Sequence, residues 1–94
     1  MNVIRSVVLS ERAAREIRKV PAQIQRKLME WVGAVEMVGL EEVRKSPGFH
    51  DEPLKGDRKG QRSIRLNRSY RAIYVVVQGV ATFVQVEEVN KHDY

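Results

Sequence analysis

Apolar residues recur at helical spacing in the first half of the chain and alternate in the second. Residues 2–9 (NVIRSVVL) are rich in β-branched side chains and predict a first strand. Ser10 is placed to cap a helix, with Glu11 in the first turn, where an acid suits the helix dipole. That helix carries Ala13, Ala14, Ile17 and Val20 and is stopped by Pro21, which can itself open the next helix. A second helix is predicted from about Pro21 to Val38. Its Ile24, Leu28, Trp31, Val32, Val35 and Val38 fall on one face, while Gln25, Arg26, Lys27 and Glu30 occupy the other. Gly39 can cap its end, and Trp31 on the apolar stripe reads as core.

Residues 41–51 (EEVRKSPGFHD) are punctuated by Ser46, Pro47 and Gly48 and read as a loop, with Phe49 plugging the edge of the core. The period then changes. Pro53–Gly56 reads as a short strand, Gly56–Gly60 as a turn and Gln61–Asn67 as a strand. Asn67–Ser69 turns the chain into a strand over Tyr70–Val77, and Gln78-Gly79 reads as a two-residue hairpin loop. Val80–Val89 is the last strand, extended by Asn90–Tyr94.

The expected order is β-α-α-β-β-β-β, an α+β fold with two N-terminal helices on one face of a mostly antiparallel, twisted sheet. The other face is then left free. Within 61–67, Ile64 and Leu66 should meet the helices, while Ser63, Arg65 and Asn67 project from the free face. Arg71 shares a side with Ile73, Val75 and Val77, which puts it at the rim of the covered face or calls for a bulge.

Ninety-four residues with a hydrophobic fraction of 43% are expected to form one domain, residues 1–94, with a modest core. There is no cysteine, and His50 and His92 are the only histidines, so neither a thiolate zinc site nor a His-rich metal site is expected. No apolar run is long enough to cross a bilayer. Arg5 interrupts the N-terminal apolar residues, and no small-residue cleavage site follows. The chain is therefore expected to start at Met1 and to work in the cytoplasm.

Charge sharpens this picture. The net charge is +5, and seven of the seventeen Lys and Arg residues lie between Glu52 and Arg71, against two of the twelve acids. These seven are Lys55, Arg58, Lys59, Arg62, Arg65, Arg68 and Arg71, with apolar residues between them at strand spacing. Such a folded cationic surface fits a polyanion better than a membrane, since no amphipathic anchor accompanies it.

The residues Glu52-Pro53-Leu54-Lys55-Gly56, then Gly60, Ser63, Arg65, Tyr70-Arg71 and Ile73-Tyr74, and finally Val89 with His92 and Tyr94, carry a resemblance. Over nearly its whole length the chain resembles the RelE/HigB/YoeB toxins of bacterial type II toxin–antitoxin pairs. The resemblance implies a RelE-like fold and an endoribonuclease that enters the ribosomal A site and cuts mRNA there, so inhibiting translation. It implies the small (30S) ribosomal subunit, mRNA and a cognate antitoxin as partners. A homodimer and a toxin–antitoxin hetero-oligomer both stay open. No cofactor is implied.

Cutting RNA without a metal drives a ribose 2′-hydroxyl onto the adjacent phosphate. This needs a base for the hydroxyl, cations for the extra charge and an acid for the leaving 5′-oxygen. Glu52 is the candidate base: YoeB-like members carry a Glu three residues before the Lys, and HigB-like members a His. Lys55, Arg65 and Arg71 are candidate phosphate ligands, since a guanidinium fork matches phosphate oxygens. Arg58, Lys59, Arg62 and Arg68 suit general steering of RNA. His92 is the candidate acid and Tyr94 a stacking platform for a splayed base. Here the chain departs from the family. YoeB-like toxins end in His-Tyr and HigB-like ones carry Asp-Tyr-His, whereas this chain ends His-Asp-Tyr. Either the His is displaced by one residue, or Asp93-Tyr94 is the match and the final His is missing. His50, on a loop beside Asp51 and Glu52, reads as surface.

Two other functions fit the same chain. ParE-like toxins share the scaffold but act on DNA gyrase and need no acid–base constellation. A basic RNA-binding module without turnover would also account for the charge.

Overall fold

The computed structural model describes residues 3–91. Strand β1 (Val7–Leu9) leads into α1 (Glu11–Ile17), α2 (Ala22–Val38) and α3 (Leu40–Arg44). Four strands follow: β2 (Glu52–Pro53), β3 (Arg62–Arg65), β4 (Tyr70–Val77) and β5 (Phe83–Lys91). They form one sheet in the order β1-β5-β4-β3-β2. β1 runs parallel to β5, and every other neighbouring pair is antiparallel. The helices cover one face, so the α+β expectation holds.

Local chemistry accounts for the helices. The Ser10 hydroxyl accepts from the Ala13 N–H at 3.0 Å and caps α1. α2 buries Ile24, Leu28, Trp31, Val32 and Val35 along one stripe. Gly39 ends it with φ +91°, where a Cβ would sit 2.3 Å from Val3 Cγ1, so only glycine fits the turn. The same stripe meets Ile64, Leu66, Ala72, Tyr74, Val84, Val86 and Val89 from the sheet. Trp31 and Tyr74 pack with ring centroids 5.1 Å apart. Phe49 is half-buried against this core, as expected.

β1 ends opposite Val86, which leaves the rest of that β5 edge open. Residues around α1 close it: Ser10 N–H donates to the Val86 carbonyl (2.8 Å), Ser10 Oγ donates to the Glu87 carbonyl (2.7 Å), and Glu16 Oε1 accepts from Val89 N–H (2.8 Å).

Four expectations are corrected. Residues 41–51 are not all loop: α3 and a 3₁₀ turn at Pro47–Phe49 occupy most of them. Two apolar residues, Leu40 and Val43, are too few to show a period, yet both are buried against the core. The strand predicted over Pro53–Gly56 is Glu52–Pro53, and Gly56, at φ +65°, opens a 3₁₀ turn instead. The hairpin loop is not Gln78-Gly79. Val77 pairs with Phe83, so residues 78–82 make the connection and Val80 stands fully exposed.

The fourth correction concerns Arg71. The helix-facing residues of β4 are Tyr70, Ala72, Tyr74 and Val76, so Arg71 stands on the opposite face with Ile73. There is a bulge, but it lies in β5. Ile73 pairs with Glu88 and Tyr74 with Val86, which leaves Glu87 as the extra residue. Val86 and Val89 can then both face the helices, and Glu88 turns to the other face.

Candidate active site

Residues paired across neighbouring strands share a face. On the face away from the helices the register therefore lays out two rows. One row is Arg65, Arg71 and Asn90; the next is Glu52, Ser63, Ile73 and Glu88. Arg65 and Arg71 stand directly opposite each other, both half-buried. Neither makes an ion pair among the described residues. Like charges set opposite each other destabilise a sheet. An anion between the two guanidinia would relieve that repulsion, and their planar donor forks match phosphate oxygens.

The loop between β2 and β3 folds over this face. Its 3₁₀ turn, Gly56–Arg58, carries Arg58 across to β5, where Nη2 donates to both oxygens of Glu88 at 3.3 and 3.1 Å. Arg58 Nη1 donates to Gln61 Oε1 at 3.3 Å. Beneath lies an open cleft of about 310 Å³ lined by Leu54, Arg58, Arg71, Ile73, Glu88 and Asn90. Ile73 is 4% exposed although it is outside the helix-side core, and it lines this cleft together with Leu54 and Arg58 of the loop. Glu52, in β2, and Lys55, at the start of the loop, are both exposed. The fold thus brings Glu52, Arg65 and Arg71 onto one face, with Lys55 and Arg58 on the loop above it.

Arg62 sits elsewhere. It pairs with Pro53 and Tyr74 on the helix side of the sheet, and its Nε donates to Asp51 Oδ1 at 2.6 Å. The Asp51 side chain is 1% exposed. Its other oxygen accepts a short hydrogen bond from the Tyr74 hydroxyl, which in turn accepts from Arg44 Nε at 3.4 Å. Burial, and then the Asp51 carboxylate that accepts its hydrogen bond, push the Tyr74 hydroxyl well above the usual tyrosine range. Arg62, expected to steer RNA, is therefore paired with a buried acid. Arg58 is likewise engaged, by Glu88.

Lys59 and Arg68 are exposed, as is His50. The candidate acid His92 and the candidate stacking residue Tyr94 lie outside the described residues. Asp51, Tyr74, Arg44 and Glu88 form polar networks that the sequence reading did not single out. Glu88 did have a signal: in FVQVEEVNK the buried valines step from 84 and 86 to 89, which breaks the alternation after Glu87. Asp51 had none, because nothing local says that a loop carboxylate will meet Arg62 eleven residues on.

No family model matches the chain. Toxin HigB-1 of Vibrio cholerae is 37% identical over 65 residues, which cover 68% of this chain and 68% of that one. Among solved structures, the YoeB/ParE toxin from Agrobacterium tumefaciens superposes with a TM-score of 0.71 at 20% identity, covering 94% of this chain and 99% of that one. The YoeB–YefM complex from Staphylococcus aureus gives 0.69 at 19% identity, covering 94% and 97%. The RelBE2 toxin–antitoxin complex from Mycobacterium tuberculosis gives 0.66 at 22%, covering 93% and 96%. These structures match the helix-covered sheet, and the V. cholerae relative carries the assignment: the chain belongs to the RelE/HigB/YoeB superfamily of toxins from bacterial type II toxin–antitoxin systems.

Proposed function

We propose that the chain is an mRNA endoribonuclease that cuts on the ribosome, in the A site, by metal-independent attack of a 2′-hydroxyl. The observation that carries this reading is the facing pair Arg65–Arg71 on the uncovered sheet face, with Glu52 in the adjacent row. In the scheme, Glu52 takes the 2′-hydroxyl proton as the 2′-oxygen bonds to phosphorus. Arg65, Arg71 and Lys55 hold the extra negative charge of the phosphorane. The bond to the 5′-oxygen then breaks, that oxygen takes a proton from the acid, and a 2′,3′-cyclic phosphate is left. His92 is the proposed acid, since imidazole titrates near neutrality, and Tyr94 stacks on the base beside the cut.

A gyrase-directed toxin on the same fold would need neither the arginine pair nor Glu52 beside it. Family membership also supports an antitoxin partner, because the S. aureus and M. tuberculosis structures are toxin–antitoxin complexes. The site of action is the cytoplasm, where ribosomes and mRNA are.

The test is to incubate purified chain with ribosomes programmed with a defined mRNA and map the ends. Cuts in the A-site codon with cyclic-phosphate ends are expected, lost in Arg65→Ala and Arg71→Ala, and slowed in His92→Gln with a flattened pH–rate profile near neutrality. DNA damage in cells without mRNA cuts would overturn the reading in favour of gyrase. Ribosome binding without cuts or DNA damage would leave an RNA-binding module.

A further inference from the structure

Glu88 has no role in this cleavage scheme, yet it is buried at the floor of the cleft, with its side chain 7% exposed. Three groups converge on its carboxylate from three parts of the chain. Arg58 of the β2–β3 loop bonds both oxygens through Nη2 (3.3 and 3.1 Å), and Asn90 Nδ2 donates to Oε1 at 2.6 Å. Arg12 of α1 approaches Oε2 at 3.6 Å. The bulge at Glu87 is what turns Glu88 to this face.

The loop needs such an anchor. β2 is two residues long and lies at the edge of the sheet. The backbone hydrogen bonds of residues 54–61 are all local: Leu54 N–H to Gln61 O (2.9 Å), Arg58 N–H to Lys55 O (3.3 Å), Lys59 N–H to Gly56 O (3.1 Å) and Gln61 N–H to Arg58 O (2.9 Å). Among the described residues, Arg58–Glu88 is the one hydrogen-bonded contact from this loop to a distant strand. It spans thirty residues of sequence and crosses over β3 and β4.

We propose that Glu88 is a positioning residue: through Arg58 it clamps the 54–60 loop over Ile73 and so fixes Glu52 and Lys55 relative to Arg65 and Arg71. The inference rests on the nuclease reading. Its physical basis is that a phosphate ligand on a loose loop, and a base on the two-residue edge strand that leads into it, lose rate through misplacement even when substrate still binds. Because Glu88 and Arg58 act as one unit, removing either one should cost as much as removing both.

The experiment compares Glu88→Gln, Arg58→Ala, the double variant and Arg12→Gln. Three quantities are read: single-turnover cleavage on programmed ribosomes, ribosome affinity, and hydrogen exchange at the amides of residues 54–61. Glu88→Gln and Arg58→Ala should each slow cleavage about 10- to 100-fold at saturating ribosomes. Affinity should stay within about twofold, and exchange at Arg58, Lys59 and Gln61 should quicken. The double variant should be no slower than either single one. Arg12→Gln removes the longer, exposed ion pair and should change cleavage less than about twofold.

A Glu88→Gln chain that cuts at the parent rate overturns the clamp. So does a loss that multiplies in the double variant, or one that appears only as weaker binding. Tighter ribosome binding by Glu88→Gln would also overturn it, since the carboxylate would then be competing with phosphate for the cations. Should Glu88→Gln fail to fold, Arg58→Ala decides the question, because its side chain is nearly half exposed. A parent chain that leaves mRNA intact overturns the nuclease reading itself. An active parent with unaffected variants overturns the clamp alone.

Discussion

Arg62 and Arg65 are three residues apart on β3, and the sheet sends them to opposite worlds. Arg62 lies on the helix side, held 2.6 Å from the enclosed Asp51 carboxylate, within a network that includes Tyr74 and Arg44. Arg65 lies on the other face, set against a second guanidinium. The same side chain is satisfied by an internal acid in one place and left facing a like charge in the other. An internally paired arginine holds the fold together. Arg65 makes no ion pair among the described residues, and in the proposed scheme it takes a phosphate of the substrate instead. In a basic surface, position relative to the chain's own acids therefore separates scaffold from site better than the charge itself does.

Breaking the buried side should have the largest effect. Arg62→Ala strands the Asp51 carboxylate, and loss of one partner of a buried pair costs about 3–5 kcal/mol. Because Arg62 keeps a quarter of its side chain exposed, the low end of that range is expected. Urea unfolding measures it, and a loss under about 1 kcal/mol would mean that water replaces the arginine and the buried-pair account is wrong.

Arg65→Ala and Arg71→Ala should behave in the opposite way. Each should lower mRNA cleavage by about 10²- to 10³-fold, near 3 kcal/mol of transition-state stabilisation. Stability should hold, or rise by up to about 1 kcal/mol as the facing like charges are relieved. If either variant unfolds while Arg62→Ala stays folded, the division between scaffold and site is reversed.

Tyr74→Phe should cost about 1–2 kcal/mol, the share of one hydrogen bond to a buried charge. It should also alter the pH dependence. The Tyr74 hydroxyl titrates higher in the folded chain than in the unfolded one, where it titrates near 10. Its contribution is therefore complete below about pH 10 and is lost as the pH climbs above that, towards the folded value. Chemical unfolding measured from pH 8 to 11 should show a steeper alkaline loss in the parent than in the variant.

The smallest effects should come from exposed lysines. Lys55→Gln and Lys59→Gln should each lower the salt slope of RNA or ribosome binding by about one, as expected for a single phosphate contact. Arg62→Gln should leave the slope unchanged, since its charge is already matched by Asp51. A slope that responds to Arg62 as it does to Lys59 would erase the distinction between the two faces.

The sequence by itself determined the elements that depend on near neighbours. The heptad-like stripe from Ile24 to Val35, the Ser10 cap and the glycine after Val38 are local signals, and each appears where it was read. Alternation also assigned Ile64 and Leu66 to the core and Arg65 to the open face. At the family level, the run from Glu52 to Tyr74 was legible as a motif. Tertiary structure alone decided which charges meet. Asp51 finds Arg62 and Tyr74, and Glu88 finds Arg58 and Arg12, because of strand order and register, which join residues eleven to seventy-six positions apart. It also decided the side of Arg71. Ile73 reads as marking the covered side of β4, but it lies on the opposite face, in the cleft it lines with Leu54 and Arg58 of the β2–β3 loop, and the helices take Ala72 and Tyr74 instead. A hydrophobic residue records that it is buried; what buries it depends on which segments the folded chain brings back over it.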